Sequence, residues 1–122
     1  LEDPARPSAE DATSGPTAAA GGPAPSGLGY TGDTGPSPEL GAFMRGLDVL
    51  VAECSLPDDQ AIDTHLSPAS LAALGAHAAP GRLVVTHVYP QLAALDPVAR
   101  LRAAGWDGEA VRAEDGLELE VT

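Results

Sequence analysis

Three polar residues with chemically useful side chains each follow a short apolar stretch of this chain. They are Asp33, which lies in a Gly-Asp-Thr-Gly sequence, Glu53 and His87. A carboxylate has two oxygens that can bind metal ions or move protons, and a neutral imidazole is a good ligand for zinc. These residue types indicate a divalent-metal site or a site of general acid–base catalysis.

Each of these residues is expected at the carboxyl end of a strand that leads into a helix. The strands are a short one at 28–31 and two continuous apolar runs, 49–52 and 82–86, as expected for parallel strands covered on both faces. Right-handed crossovers between parallel neighbours bring the three strand ends to one edge of the sheet. His65, in the polar loop 54–67, is expected at the same edge. The sequence therefore predicts two carboxylates and two imidazoles on one rim.

Three helices are expected to connect these strands. Two begin with Ser-Pro, at 37–38 and 67–68, and the third begins with Asp-Pro at 96–97. At the C-terminus, a strand around Val111, a turn, and alternation of apolar and acidic residues over 117–121 predict a hairpin with an antiparallel edge strand. The predicted order is β-α-β-α-β-α-β-β, which is an α/β fold with a mixed sheet.

Composition limits the part of the 122-residue chain that can fold and the partners it can have. Residues 1–27 are almost entirely Pro, Ala, Gly, Ser, Thr and acidic residues, so we expect a disordered leader there and a domain at 28–122. A net charge of −12 repels nucleic acid, although bound cations can reverse the sign locally. The single cysteine and the lack of a long apolar run or signal pattern predict a cytoplasmic chain without membrane association.

Every candidate residue also has an interpretation without chemistry. Asp33 could be a turn former, Glu53 a cap acceptor or a solvated charge, and His87 a histidine of the core. His65 alone could be a surface residue, so it is the combined pattern that favours a site. Tyr89, two residues after His87, could line the mouth of a pocket. The one cysteine is expected to be buried and inert, because no basic residue adjoins it.

Four short motifs, in this order, resemble those of the metallo-β-lactamase-fold hydrolases, in particular the ribonuclease Z-like phosphodiesterases. They are Tyr-Thr-Gly-Asp-Thr at 30–34, Val-Ala-Glu-Cys-Ser at 51–55, Thr-His-Leu-Ser at 64–67 and Leu-Val-Val-Thr-His at 83–87. The sequence at 113–119 is also similar to that family's closing hairpin. The resemblance implies a four-layer αββα fold in which two divalent ions, usually zinc with manganese as an alternative, activate a water molecule for hydrolysis.

The resemblance also implies a role for each candidate residue. Asp33 corresponds to the aspartate that bridges the two metal ions, and His87 to the last metal-binding histidine. Glu53 and His65 correspond to the catalytic pair that assists proton transfer to the leaving group. The family's main metal motif, His-x-His-x-Asp-His, is absent, since all three histidines follow Asp33. The chain therefore resembles the C-terminal half of the fold and is expected to have an incomplete site.

Two functions follow from this resemblance. The first is a metal-dependent hydrolase that acts on a small or generic phosphodiester, with RNA as an alternative substrate, through dinuclear zinc. The second is a truncated, non-catalytic module for binding or dimerisation. An isolated half should expose an apolar sheet face, so the expected partner is a second copy or the missing N-terminal half. A third interpretation is an ordinary doubly wound domain, in which Asp33 and His87 would lie more than about 8 Å apart and share no ion.

Overall fold

The computed structural model of the protein describes residues 24–122, so the predicted leader at 1–27 lies outside the described residues except for its last four positions. The elements, in chain order, are β1 (Leu28–Tyr30), α1 (Pro38–Phe43), β2 (Val49–Glu53), a 3-10 helix (Asp58–Gln60), α2 (Pro68–Ala78), β3 (Arg82–Thr86), α3 (Pro90–Ala93), α4 (Pro97–Ala103) and β4 (Glu109–Arg112). Among these residues, no helix has the length and apolar character needed to cross a membrane.

The four strands form one sheet in the order β1-β2-β3-β4, and every neighbouring pair is parallel. The register places Tyr30 beside Val51 and Glu53 beside Thr86. Because the strands are parallel, their carboxyl ends share one edge of the sheet, which is where α/β proteins place ligands. The predicted α/β architecture is confirmed, and so is the position of the strand ends.

The predicted cap residues begin their helices in the structure. The Ser37 hydroxyl oxygen accepts a hydrogen bond from the Leu40 N–H at 3.3 Å, at the start of α1. The Asp96 carboxylate does the same for the Ala99 N–H at 3.2 Å, at the start of α4. Helix α3 could not be predicted from the sequence, because its single turn is too short to show helical periodicity.

The two faces of the sheet have different environments. Residues that pair across a parallel register share a face, so the side chains fall into two sets. One set packs with the helices in the hydrophobic core and contributes Leu50, Ala52, Leu83 and Val85. The other set, which we call the open face, lies outside that core and consists of Leu28, Tyr30, Val49, Val51, Val84 and Val111, of which Val49 and Val84 are buried. On the open face, Leu28 is 58% exposed and Tyr30 61% exposed.

The predicted C-terminal hairpin is wrong, and in the described residues the sheet is parallel rather than mixed. Residues 113–122 contain no strand. They instead reach the amino ends of the strands, where the Thr122 carbonyl accepts a hydrogen bond from the Gly27 N–H at 2.6 Å and the Thr122 N–H donates to Asp48 at 3.0 Å. The end of the tail is thus hydrogen-bonded to Gly27 and Asp48, and the tail pairs with no strand as a ladder. The side chains of Leu117, Leu119 and Val121 are between 39% and 43% exposed.

Asp48 anchors this tail, and its ionisation should control the attachment. The backbone hydrogen bond from Thr122, aided by the Arg82 guanidinium, holds the pKa of the Asp48 carboxyl below its usual range. A carboxyl whose pKa is lowered by folding stabilises the fold above its unfolded pKa of ~3.9, and this contribution is lost as the pH falls through the folded pKa. We expect the Thr122 amide resonance to shift in acid, below pH ~4.

The substitution Asp48→Ala should produce the same Thr122 shift at neutral pH, because it removes the acceptor. An NMR titration of both proteins measures this. A Thr122 resonance that responds neither to acid nor to the substitution would contradict the anchoring role.

Candidate metal centre

The structure brings three of the sequence-predicted side chains together at the carboxyl edge of the sheet. One ligand atom from each of Asp33, His65 and His87 lies within 4.8 Å of the other two. The Asp33 Oδ1 and His87 Nε2 atoms are 3.6 Å apart. Two groups at this separation can bind one ion at ~2 Å each. The geometry excludes the arrangement that an ordinary doubly wound domain would require.

Glu53 lies behind this group and is the acceptor of a buried hydrogen-bond network. Its side chain is fully buried. Oε1 accepts hydrogen bonds from the Thr34 N–H at 3.1 Å, the Leu66 N–H at 3.1 Å and His65 Nδ1 at 3.0 Å. Oε2 accepts from the Ser55 hydroxyl at 2.9 Å. The carboxylate is therefore neither a solvated charge nor a free metal ligand, and it is placed to orient His65.

The Glu53 carboxylate also determines which nitrogen of His65 carries the proton. A carboxylate only accepts hydrogen bonds, so neutral His65 is protonated on Nδ1 and has its lone pair on Nε2. Nε2 lies 3.3 Å from the Tyr89 hydroxyl, which can donate to it. The available nitrogen thus faces the same space as Asp33 and His87, where it can bind a metal ion or transfer a proton.

Tyr89 packs against both histidines. The ring centroids of His65, His87 and Tyr89 are between 5.2 and 5.5 Å apart. The sequence offered only one signal for this residue, its position two places after His87. The structure places its ring beside both histidines of the site.

Comparison with known proteins agrees with a metal site at this edge of the sheet. No protein-family model matches the chain. A ribonuclease Z from Shouchella clausii is 36% identical over 94 residues, which are 74% of this chain and 30% of that protein. The metallo-β-lactamase fold protein YhfI from Bacillus subtilis superimposes with a TM-score of 0.65 at 22% identity, covering 72% of this chain and 37% of the other. The chain is a metallo-β-lactamase-fold protein related to ribonuclease Z. A diphosphatase from the PhnP family is also similar, with a TM-score of 0.54, 21% identity and coverage of 75% of this chain and 35% of the other.

The resemblance inferred from the four sequence motifs is thus confirmed, and the metallo-β-lactamase fold is that of a family of metal-dependent hydrolases. The chain spans less than a third of the length of the ribonuclease Z that it matches, and just over a third of each similar structure. This partial coverage agrees with the predicted correspondence to one half of the metallo-β-lactamase fold.

The side chains of this metallo-β-lactamase-fold site suit one divalent ion. A carboxylate and imidazoles are donor types that bind zinc well, and a catalytic zinc usually has three protein ligands. If His65 serves in proton transfer, Asp33 and His87 are the two ligands that these residues supply. Within residues 24–122, no second cluster of three or more His, Cys, Asp or Glu ligand atoms converges in this way. The described residues therefore provide one candidate position for an ion.

Cys54 is not a candidate ligand, although it adjoins Glu53. Burial, together with the negative charges of Glu53 and Asp58, raises the pKa of the Cys54 thiol to about 12. Only the thiolate binds metals or attacks electrophiles, so the neutral thiol behaves as a small apolar group of the core.

The loops that carry Asp33 and His65 meet at Gly35. A Cβ atom at this position would overlap the backbone oxygen of Asp63. We expect Gly35→Ala to force the two loops apart, to lower the free energy of unfolding by ~3 kcal/mol and to weaken any binding that needs both loops. Urea denaturation measures the first effect.

The control for Gly35→Ala adds the same methyl group at Gly46, where no atom lies within 4 Å. Gly46 has a φ of 88°, so alanine there should cost only ~1–2 kcal/mol of backbone strain. If Gly35→Ala were no more destabilising than Gly46→Ala, the close approach of the two loops would be disproved.

Proposed function

We propose that this chain supplies one side of the active site of a metal-dependent phosphodiesterase that uses dinuclear zinc. The observation that carries the proposal is the convergence of Asp33, His65 and His87 at the carboxyl edge, with the buried Glu53 behind His65. The similarity to a protein named ribonuclease Z and to a PhnP-family diphosphatase supports a phosphate ester as the substrate.

Asp33 and His87 would hold the metal, which is zinc or manganese. The Asp33 side chain is 63% exposed, so an ion bound there remains accessible to water and substrate. One Asp33 oxygen lies 3.6 Å from His87 Nε2, and the second oxygen of the carboxylate would serve the other ion if the complete site holds two. When bound, zinc polarises a phosphoryl oxygen and makes a water molecule acidic enough to attack near neutral pH.

Glu53 and His65 would transfer the proton that the leaving group needs. Glu53, which accepts a hydrogen bond from Nδ1, would orient the imidazole so that Nε2, the nitrogen that faces the site, passes the proton. Because Glu53 is held by four donors, it stays in place while the proton moves.

The substitution His65→Gln tests this division of roles. We expect a metal content close to that of the wild type and a ~100-fold or greater loss of kcat, because the proton donor is absent while Asp33 and His87 remain. Elemental analysis and steady-state kinetics measure the two quantities. Loss of metal from His65→Gln would instead make His65 a ligand and would remove it from proton transfer.

We further propose that activity requires a second component, either an N-terminal half or another copy of the chain. The exposed side chains of Leu28 and Tyr30 on the open face support this proposal. A parallel sheet is normally covered on both faces, so a second component could cover them. The net charge of −12 favours a small or generic phosphodiester over structured RNA, since a surface of this sign repels a phosphate backbone.

The second candidate function is a non-catalytic module for binding or dimerisation. Two observations favour it. Only three ligand atoms converge within the described residues, and the open face presents Leu28 and Tyr30 to a partner. A module of this kind would retain the fold and would lack the complete metal centre.

Zinc titration by calorimetry, followed by hydrolysis of bis(p-nitrophenyl) phosphate, separates the two candidates. With the N-terminal part of a ribonuclease Z supplied in trans, the phosphodiesterase proposal expects about two zinc ions per complex and hydrolysis that a chelator abolishes. If that complex binds no metal, the phosphodiesterase proposal is overturned. Little or no tight zinc binding by the chain alone, together with no metal in the complex, would support the non-catalytic module.

A further inference from the structure

Ser55 is a fully buried residue that connects the chain segments around the site. Its N–H donates to the Leu66 carbonyl at 2.9 Å, and its carbonyl accepts from the Tyr89 N–H at 3.0 Å. Its hydroxyl lies 2.9 Å from Glu53 Oε2 and 3.0 Å from the His87 carbonyl oxygen. The end of β2, the His65 loop and the segment after β3 are therefore all tied to this one residue.

The Ser55 hydroxyl has one proton and faces two acceptors. A carboxylate oxygen and a backbone carbonyl both only accept, so the proton is shared between them or alternates. Within the described residues, no other hydrogen bond reaches Glu53 Oε2 or the His87 carbonyl oxygen. Both oxygens consequently depend on this hydroxyl.

His87 has a backbone conformation that requires such support. Its φ of 57° is in the left-handed region, which residues with a side chain rarely adopt. A residue in that region keeps its conformation only where its surroundings impose it. The Ser55 hydroxyl donates to the His87 carbonyl, and the Tyr89 N–H donates to the Ser55 carbonyl. These two hydrogen bonds hold the backbone on the C-terminal side of His87.

We propose that Ser55 is a positioning residue whose hydroxyl holds His87 in its left-handed conformation and thereby directs the imidazole toward Asp33. The same hydroxyl joins this arrangement to Glu53, so the two metal ligands and the proton-transfer pair are aligned by one group. The effect on the backbone is independent of the proposed function, and the consequence for metal binding rests on it.

NMR of the metal-free protein tests the backbone effect. In Ser55→Ala, the His87 carbonyl ¹³C resonance should move to the value of a carbonyl without a hydrogen bond, and the His87 ¹³Cα and ¹³Cβ shifts should leave the left-handed range. Ser55→Thr keeps the hydroxyl and should restore the wild-type values. Ser70→Ala is the matched control, since it removes a hydroxyl from the start of α2, away from the site.

Two further measurements keep the test decisive. Ser55→Cys fills a similar volume with a weak donor, so it should show the same shifts if Ser55→Ala does not fold. Cobalt titration should give ~10–100-fold weaker binding and an altered visible spectrum in both variants, as for other residues that orient metal ligands. Unchanged His87 shifts in a folded Ser55→Ala or Ser55→Cys protein would overturn the proposal. Shifted His87 resonances in a protein whose wild type binds no cobalt would uphold it and would count against the proposed function instead.

Discussion

Replacing Glu53 by alanine is expected to lower the free energy of unfolding by about 3–5 kcal/mol. The substitution leaves a set of donors without an acceptor in a fully buried place: the Thr34 N–H, the Leu66 N–H, His65 Nδ1 and the Ser55 hydroxyl. A loss of this size is a large fraction of the roughly 5–15 kcal/mol that holds a typical domain folded. Urea denaturation followed by circular dichroism measures it.

The matched control for this experiment is Glu53→Gln, which should separate folding from chemistry. The amide oxygen can accept the three hydrogen bonds of Oε1, and the amide N–H₂ can donate to the Ser55 oxygen. The Ser55 proton is then free for the His87 carbonyl. One of the two amide N–H groups is left without an acceptor, so we expect a loss of stability of ~1–2 kcal/mol, smaller than that of the alanine variant.

Glu53→Gln should nevertheless reduce hydrolysis by ~10²–10⁴-fold, because a neutral amide replaces the carboxylate that orients His65 for proton transfer. Steady-state kinetics of the metal-loaded complex measure this. A glutamine variant as unstable as the alanine variant would refute the hydrogen-bond network, and a fully active one would refute the proton-transfer role.

Asp33→Asn is expected to weaken zinc binding by more than ~100-fold while the fold remains intact. Loss of a direct ligand should cost more than loss of a residue that only orients one, which already costs ~10–100-fold. Because the Asp33 side chain is 63% exposed, the free energy of unfolding should change by less than ~0.5 kcal/mol. Calorimetric titration and urea denaturation provide the two measurements.

A matched control distinguishes ligation by Asp33 from general electrostatic attraction. Asp59 is exposed and lies in the 3-10 helix, so Asp59→Asn removes the same unit of charge from a chain of net charge −12. Its zinc affinity should equal that of the wild type. An equal loss in both variants would show that the total charge of the chain, and not the Asp33 carboxylate, attracts the ion.

The positions of the strand-end residues could be predicted because two apolar runs mark central strands without ambiguity. A run such as 49–52 is apolar at every position, so it must be covered on both faces, and the handedness of the crossovers then places the strand ends together. These rules place Glu53 and His87 at one edge, and the short strand at 28–31, paired parallel to the run at 49–52, brings Asp33 to the same edge.

The course of the tail could not be predicted from the sequence. Alternation over 117–121 is typical of a strand, but it does not specify a partner, and hydrogen bonds to Asp48 and Gly27 compete with a ladder. The environment of Glu53 was equally hidden, because its donors at Thr34 and Leu66 come from segments that only the folded chain brings together.

The hydrogen bond between the Gly27 N–H and the Thr122 carbonyl places residues 27 and 122 side by side, at the edge of the sheet opposite the candidate metal centre. A short linker could therefore join them, and the chain could be reopened elsewhere as a circular permutant. For the same reason, a fluorescent label or a surface tether attached at residue 122 would leave the carboxyl edge unobstructed.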